Sequence, residues 1–222
     1  MRPDTDKALQ RQFAMTSEHL RMKTQLIAQY LLPVLGSLPV STALMLTEKL
    51  VAHSQLRQAV ARQYLDEPGP ADEGLAIVMP QSVAHSFQAV DGNDGTKHVG
   101  THIWPRRTLI FDHCALFDST DRMDFVQVLE PGPYLSIRYP ALRQLIADYS
   151  VVERSITVLA RKQERQRQQH DHLLRLAPDA RVSAFETTYK AFAQVATIEQ
   201  RCMHIGLTRQ TYSKKLKAVN PF

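Results

Sequence analysis

The stretch from about Leu50 to Ile137 constrains the fold of this 222-residue chain more than any other. It breaks into short β-rich runs, namely LVAHSQLRQAV, ARQYL, LAIVMP, SVAHSFQAV, TKHVGTHIW, RTLIF, FVQVL and YLSIR, with turn-forming residues between them. Asp91-Gly92 and Asp94-Gly95 favour a tight hairpin, and DEPGPADEG is too rich in Pro, Gly and acid to be other than a loop. Many short strands at nearly regular spacing close into a sandwich or a roll. The count fits a jelly roll.

Helical periodicity brackets this region. Residues 4–35 place Phe13, Leu20, Ile27, Tyr30, Leu31 and Val34 on one face, with Pro33 and Gly36 ending the run. Ser41–Ala52 begins at a Ser cap after Pro39 and carries Leu44, Leu46 and Leu50, so both segments are expected to pad the sheet. From Tyr139 onward, Leu142, Leu145, Tyr149, Val152, Ile156 and Leu159 are spaced 3-4-3-4-3, the seam of a two-stranded coiled coil. Self-association through these six is the expectation; packing against the chain's own roll is the alternative. The polar run RKQERQRQQHDH cannot extend that seam and reads as a solvated helix end or hinge. Beyond it, Leu173, Leu174 and Leu176, then Val182, Phe185, Tyr189 and Phe192, supply supporting helices.

The C-terminal stretch TIEQRCMHIGLTRQTYSKKLKAV, Thr197–Val219, reads as helix, tight turn, helix. Thr197 caps the first helix, Gly206 supplies the positive φ that ends it, and Thr208 caps the second. Tyr212, Leu216 and Val219 recur at helical spacing and turn inward, which leaves Arg209, Gln210, Ser213, Lys214 and Lys217 facing outward. These are donor-rich side chains suited to base edges and phosphates in a major groove.

Charge agrees with that reading. The chain carries +5 overall, but residues 138–222 carry +8 and residues 1–137 carry −3. A basic rear half calls for a polyanionic partner, double-stranded DNA first and an anionic membrane surface second. The two cysteines, Cys114 and Cys202, are too far apart in sequence to suggest a disulfide framework or a metal-binding pair. MRPDTDKALQ lacks the apolar core of a signal peptide, and no apolar run reaches spanning length, so a cytoplasmic protein without membrane contact is expected.

GLTRQTYSKKL resembles the G-x-[ST]-R-x-T-x-S-[RK]-x-L core of the Crp/Fnr superfamily of bacterial transcription regulators. GLAIVMPQSVAHSF, DGNDGTKHVGTHIW, YPALRQL and APDARVSAFETTY, in that order, are similar to the branch common in Bacteroidetes, so the likeness covers the chain from about Ser41. The resemblance implies an α+β protein: N-terminal helices (1–40), an antiparallel jelly roll of the cyclic-nucleotide-binding kind (41–137), a dimerisation helix (138–170) and a helix-turn-helix domain (171–222). It also implies that Arg209 and Gln210 read bases, that Lys214 stands where a base- or phosphate-contacting Arg stands, and that Thr211 and Ser213 contact phosphate. Thr197 opens a helix where phosphate contact is common.

Three departures qualify the transfer. Arg201 occupies a position the family usually keeps apolar. Only Asn220-Pro221-Phe222 follows the second helix, so the β-wing of many members is not expected. Where cyclic-nucleotide binders carry Gly-Glu and a later Arg-Ser/Thr-Ala, this chain has IFDHCALFDSTDRMDF, in which Arg122 stands among aspartates, so cyclic AMP is not the expected effector.

Nine histidines raise a second reading, a cupin-like metal- or small-molecule-binding protein or enzyme whose C-terminal helices only dimerise it. His98 and His102, four apart on a strand, would share a face, with His85 and His113 on neighbouring segments. No His-x-His pair with a downstream Glu accompanies them, and no iron–sulfur cysteine cluster, nucleophile motif or phosphate loop is present. A third reading is a member that assembles through protein contacts alone. The preferred expectation is a homodimeric DNA-binding regulator, not an enzyme, with no cofactor or metal and an unidentified small-molecule effector in the roll.

Overall fold

The computed structural model describes residues 17–36, 38–92 and 95–219. Among them, eight strands run as β1 (Ser54–Ala59), β2 (Tyr64–Asp66), β3 (Leu75–Val78), β4 (Ala84–Gly92), β5 (Gly95–Trp104), β6 (Leu109–Ile110), β7 (Phe125–Val128) and β8 (Gly132–Arg138). They form two antiparallel sheets, ordered β1-β8-β3-β6 and β2-β7-β4-β5. Sequence-distant strands lie side by side in both, as in a jelly roll. The Gly92↔Gly95 pair closes the β4–β5 hairpin, and Gly95 takes a φ of 110° that suits glycine alone.

Between the sheets lies a core that includes Ile77, Met79, Trp104, Ile110, Val128 and Tyr134. The Trp104 indole is buried there and donates to Ser86 Oγ at 2.6 Å. A short helix α3 (His113–Phe117), capped by Asp112, interrupts the strands between β6 and β7.

The N-terminal segment is helical over residues 17–26 (α1), loosens into a π-helical turn at Ile27–Leu31 and ends in a 3-10 turn, Pro33–Leu35, before Gly36 at φ 91°. Phe13 lies outside the described residues. Helix α2 (Val40–His53) begins after Pro39 without a side-chain cap, so Ser41 is not its cap. Leu46 and Leu50 face inward as expected, whereas Leu44 is exposed. Leu26, Ile27, Leu31 and Leu35 share one core with Leu46 and Leu50, with Val78, Leu135 and Ile137 of the first sheet, and with the helices that follow.

Those helices bear on two expectations. The first is the seam. Its six residues fall on α4 (Tyr139–Asp148) and α5 (Ser150–Leu174), separated at Tyr149, whose φ of −132° and ψ of 100° break the helix. Leu142, Leu145, Val152 and Ile156 are buried in the core just described, and Tyr149 and Leu159 pack against it half-buried. Ser155 Oγ donates to Leu35 O at 2.5 Å, so the N-terminal segment sits on α5 itself. The 3-4 spacing is therefore satisfied within one chain. The second is RKQERQRQQHDH, which forms the largely solvated C-terminal half of α5, as the helix-end reading expects; the interruption lies not there but at Tyr149.

Four more helices follow among the described residues: α6 (Pro178–Thr188), α7 (Lys190–Val195), α8 (Ile198–Ile205) and α9 (Arg209–Val219). Val182, Phe185, Phe192, Ile205 and Tyr212 are almost fully buried, and they share a core with Val83, Ile103 and Leu129 of the roll. Among the described residues, no helix is long and apolar enough to cross a membrane.

Candidate nucleic-acid interface

Local sequence chemistry sets the geometry of α8 and α9. Thr197 Oγ1 accepts from Gln200 N at 3.2 Å, while Thr197 N donates to Gln200 Oε1 at 2.9 Å, a reciprocal capping box that satisfies two otherwise orphaned donors. Gly206 ends α8 in the left-handed region at φ 63°, ψ 32°. Two residues later Thr208 Oγ1 accepts from Thr211 N at 3.3 Å and starts α9. α8 and α9 are thus joined by a tight turn, and Arg181 and Glu186 of α6 brace the pair. Arg181 of α6 donates to Ile205 O at 3.0 Å and to Leu176 O at 2.9 Å. The Tyr212 hydroxyl donates to Glu186 Oε1, and burial pushes its pKa up. Arg201 lies 3.6 Å from the same carboxylate and donates to Ala196 O, so its charge is compensated within the first helix's own setting.

With Tyr212 buried and Leu216 half-buried, α9 turns a polar face outward. Thr208, Arg209, Gln210, Lys214 and Lys217 are exposed; Thr211 and Ser213 are half-buried at the edges of that face. The side chain of Val219 lies outside the described residues. Arg209 Nη1 sits 3.5 Å from Glu199 Oε1, with both side chains more than two-thirds exposed. A pair so exposed holds Arg209 weakly, leaving its guanidinium free to exchange partners. Thr197 is half-buried and its hydroxyl is engaged in the cap. Lys215 differs from its neighbours in bonding back to Asp179.

A cleft of about 940 Å³ opens between the inside of the roll and α5. Three arginines line it, Arg161 and Arg167 from α5 and Arg122 from the roll, and Arg122 is already consumed: it pairs with Asp66 and donates to Glu67 O at 2.6 Å and to Pro70 O at 3.2 Å. Nearby, Asp124 accepts from Thr101 Oγ1 at 2.6 Å and from Gln88 Nε2 at 2.7 Å, and burial raises its pKa. Spent on its own loop and set near a buried carboxylate, Arg122 is not free to take a cyclic phosphate.

Comparison of whole folds decides the architecture. A Crp/Fnr-family regulator from Eubacterium rectale superposes with a TM-score of 0.65 at 10% identity, covering 82% of this chain and 83% of that one. FixK2 from Bradyrhizobium japonicum gives 0.60 at 12% identity, covering 75% and 84%. CLP of Xanthomonas campestris, described as a c-di-GMP-responsive global regulator, gives 0.58 at 16% identity, covering 78% and 89%. The fold is that of the Crp/Fnr regulators. No protein-family model matches the sequence, and no curated protein matches it by sequence.

Within this Crp/Fnr fold the histidines do not assemble as a cupin-like set. The β4–β5 register shifts at Ser86/Phe87, so the partner of Ser86 is His102 and that of Phe87 is Gly100. His98 consequently packs on Phe87 and His102 stacks on Trp104 at 3.8 Å, on opposite faces of the sheet rather than one. Among the described residues, one group has metal-ligand spacing, His113, Cys114 and Asp118, and all three are exposed on and just after α3. Sequence reading missed the buried junction where His85 of β4 meets His204 of α8, because a contact across 119 residues leaves no local signal.

Proposed function

We propose that this chain is a sequence-specific DNA-binding transcription regulator of the Crp/Fnr type, not an enzyme, whose roll senses something other than cyclic AMP. One observation carries the reading. The second helix of a braced helix-turn-helix buries its tyrosine and leaves Arg209, Gln210, Lys214 and Lys217 exposed together, in the half of the chain that carries +8. Arg209 is suited to a bidentate fork on guanine and Gln210 to adenine, each contributing about 1–3 kcal/mol of discrimination. Lys214 and Lys217 are point charges that anchor phosphates, with Thr208, Thr211, Ser213 and the Thr197 end of α8 as further phosphate contacts.

Two copies reading a pseudo-palindrome place their recognition helices about one turn of DNA apart. Since the 142–156 leucines, valine and isoleucine are committed to each chain's own core, the second copy meets α5 on its outer face, where Val158 is 63% exposed. Retention of mixed genomic DNA fragments on the full-length protein across a salt series, with sequencing of what is kept, tests the proposal. A shared motif with two related halves is expected. Fragments retained without any common motif would leave only non-specific electrostatic binding.

A further inference from the structure

The helix-turn-helix domain is joined to the roll by buried imidazoles, and their hydrogen bonds work in one protonation state only. Gln127 of β7 donates through Nε2 to Arg62 O at 3.1 Å, which fixes its amide and turns Oε1 toward the junction. That oxygen takes Gln200 Nε2 of α8 at 2.9 Å and His85 Nε2 of β4 at 3.1 Å. His85 Nε2 is thus the protonated nitrogen, and its bare Nδ1 accepts from His204 Nε2 at 3.0 Å. The remaining His204 nitrogen, Nδ1, is buried with no partner, facing Gly100 of β5 so closely that a Cβ there would lie 2.3 Å away. Behind His204 stands His170 of α5, ring centroids 6.0 Å apart, its own Nε2 also buried and unpartnered.

We propose that this neutral imidazole chain is a proton-operated latch, which holds the DNA-binding domain on the roll near neutral pH and releases it on acidification. A second proton on His85 places N–H against N–H at 3.0 Å from His204. A second proton on His204 adds a donor where only Gly100 waits. Neither cation finds a counter-ion. The titratable or charged groups around His204 are His85 from β4, His102 from β5, and His170 with Asp171 from α5; β7 presents Gln127, α7 presents Phe192 and α8 itself Gln200. Asp171 is exposed and acts on His170, and His98 reaches the group only through Phe87.

Burial accordingly lowers all four imidazoles: His85 and His102 to about 4, His170 to a lesser degree, and His204, pressed further by its three neighbours, well below 6.5. A histidine depressed on docking favours the docked state fully above its free value of 6.5, and that preference drains away as pH falls toward the docked value. Each participating imidazole weakens docking about tenfold per pH unit in that window. Two acting together give about a hundredfold.

The latch bears on regulation through the reading of α8–α9 as the DNA-binding unit, but its test reads docking alone. Small-angle scattering of the full-length protein from pH 7.5 to 5.0, with circular dichroism alongside, should show the wild type extending below pH 6.5 while keeping its helix and strand signal. The double variant His85→Gln, His204→Gln, which cannot take up the protons, should hold one shape over the same range. Gly100→Ala should already be extended at pH 7.5. Proton NMR of the histidine rings adds a readout that needs no variant: at least two imidazoles should titrate together with shape change, below pH 6.5. A wild type that keeps its shape to pH 5.0, or ring titrations that proceed without extension, would overturn the latch. DNA binding lost at all pH values with the scattering transition intact would count against the function proposed above and leave the latch standing.

Discussion

Arg122 separates a sensor wall built for its own stability from one built for a phosphate, and replacing it by Ala distinguishes the two. The residue is 5% exposed and its side chain pairs with Asp66, itself little exposed, while also satisfying the carbonyls of Glu67 and Pro70. Burial raises the Asp66 carboxyl above its usual value, against the pull of Arg122, so the carboxylate depends on this partner. Removing one member of such a pair strands the other and costs about 3–5 kcal/mol. For a chain of this size that is roughly a 6–20 °C fall in the melting temperature of the roll. Fluorescence of Trp104, the single tryptophan and a residue of the roll's core, follows that unit during urea or thermal unfolding. Adding Asp66→Ala to Arg122→Ala should recover part of the loss, since the stranded charge is then gone. Arg122→Lys should rescue little, because an ammonium cannot span the same three acceptors from one plane. A loss below about 1 kcal/mol from Arg122→Ala would refute the reasoning. It would mean the guanidinium is free and available to an anionic effector.

Other outcomes follow from the same physics. Gly206→Ala forces a Cβ into the left-handed region at φ 63° and should cost about 1–2 kcal/mol, read as a lower urea midpoint of the C-terminal helices by circular dichroism. Tyr212→Phe removes the hydroxyl that donates to Glu186 and should cost about 1.5–3 kcal/mol in the same measurement, with Arg201 limiting the damage by remaining near that carboxylate. Val158→Glu, on the outer face of α5, should leave the fold of each chain intact, read as an unchanged circular-dichroism spectrum, since Val158 is exposed within one chain. It should nonetheless shift the mass measured by light scattering toward a single chain.

Much of this fold is legible because its signals are local. Thr197, Gly206 and Thr208 each specify one backbone state through one hydrogen bond or one φ value, and all three act as their types predict. The strand runs are likewise punctuated by their own turns, as at Gly92 and Gly95. The seam was misleading for the opposite reason. A 3-4 spacing states that a helix has an apolar stripe, not whose atoms cover it, and here residues 26–35 from the far end of the chain do so. RKQERQRQQHDH is legible as a solvated helix end, since Gln, Arg and Lys favour helix and α5 runs through it, and of its residues His170 alone is buried, which polar composition does not foretell. Strand parity failed at His98 and His102 because a single register shift reverses it. The candidate DNA face was legible in identity and the buried histidine junction was not, since the first lies on one helix and the second is assembled from β4, β5, α5 and α8.

The most direct test of the account compares Arg209→Ala with Lys214→Ala on a selected DNA site and on single-base variants of it, from low to physiological salt. Arg209→Ala should relax discrimination at one base pair by about 1–3 kcal/mol while leaving other positions unchanged. Lys214→Ala should weaken every sequence alike and reduce the slope of log K against log salt by about one. Equal losses on every sequence from both substitutions would contradict base reading by α9.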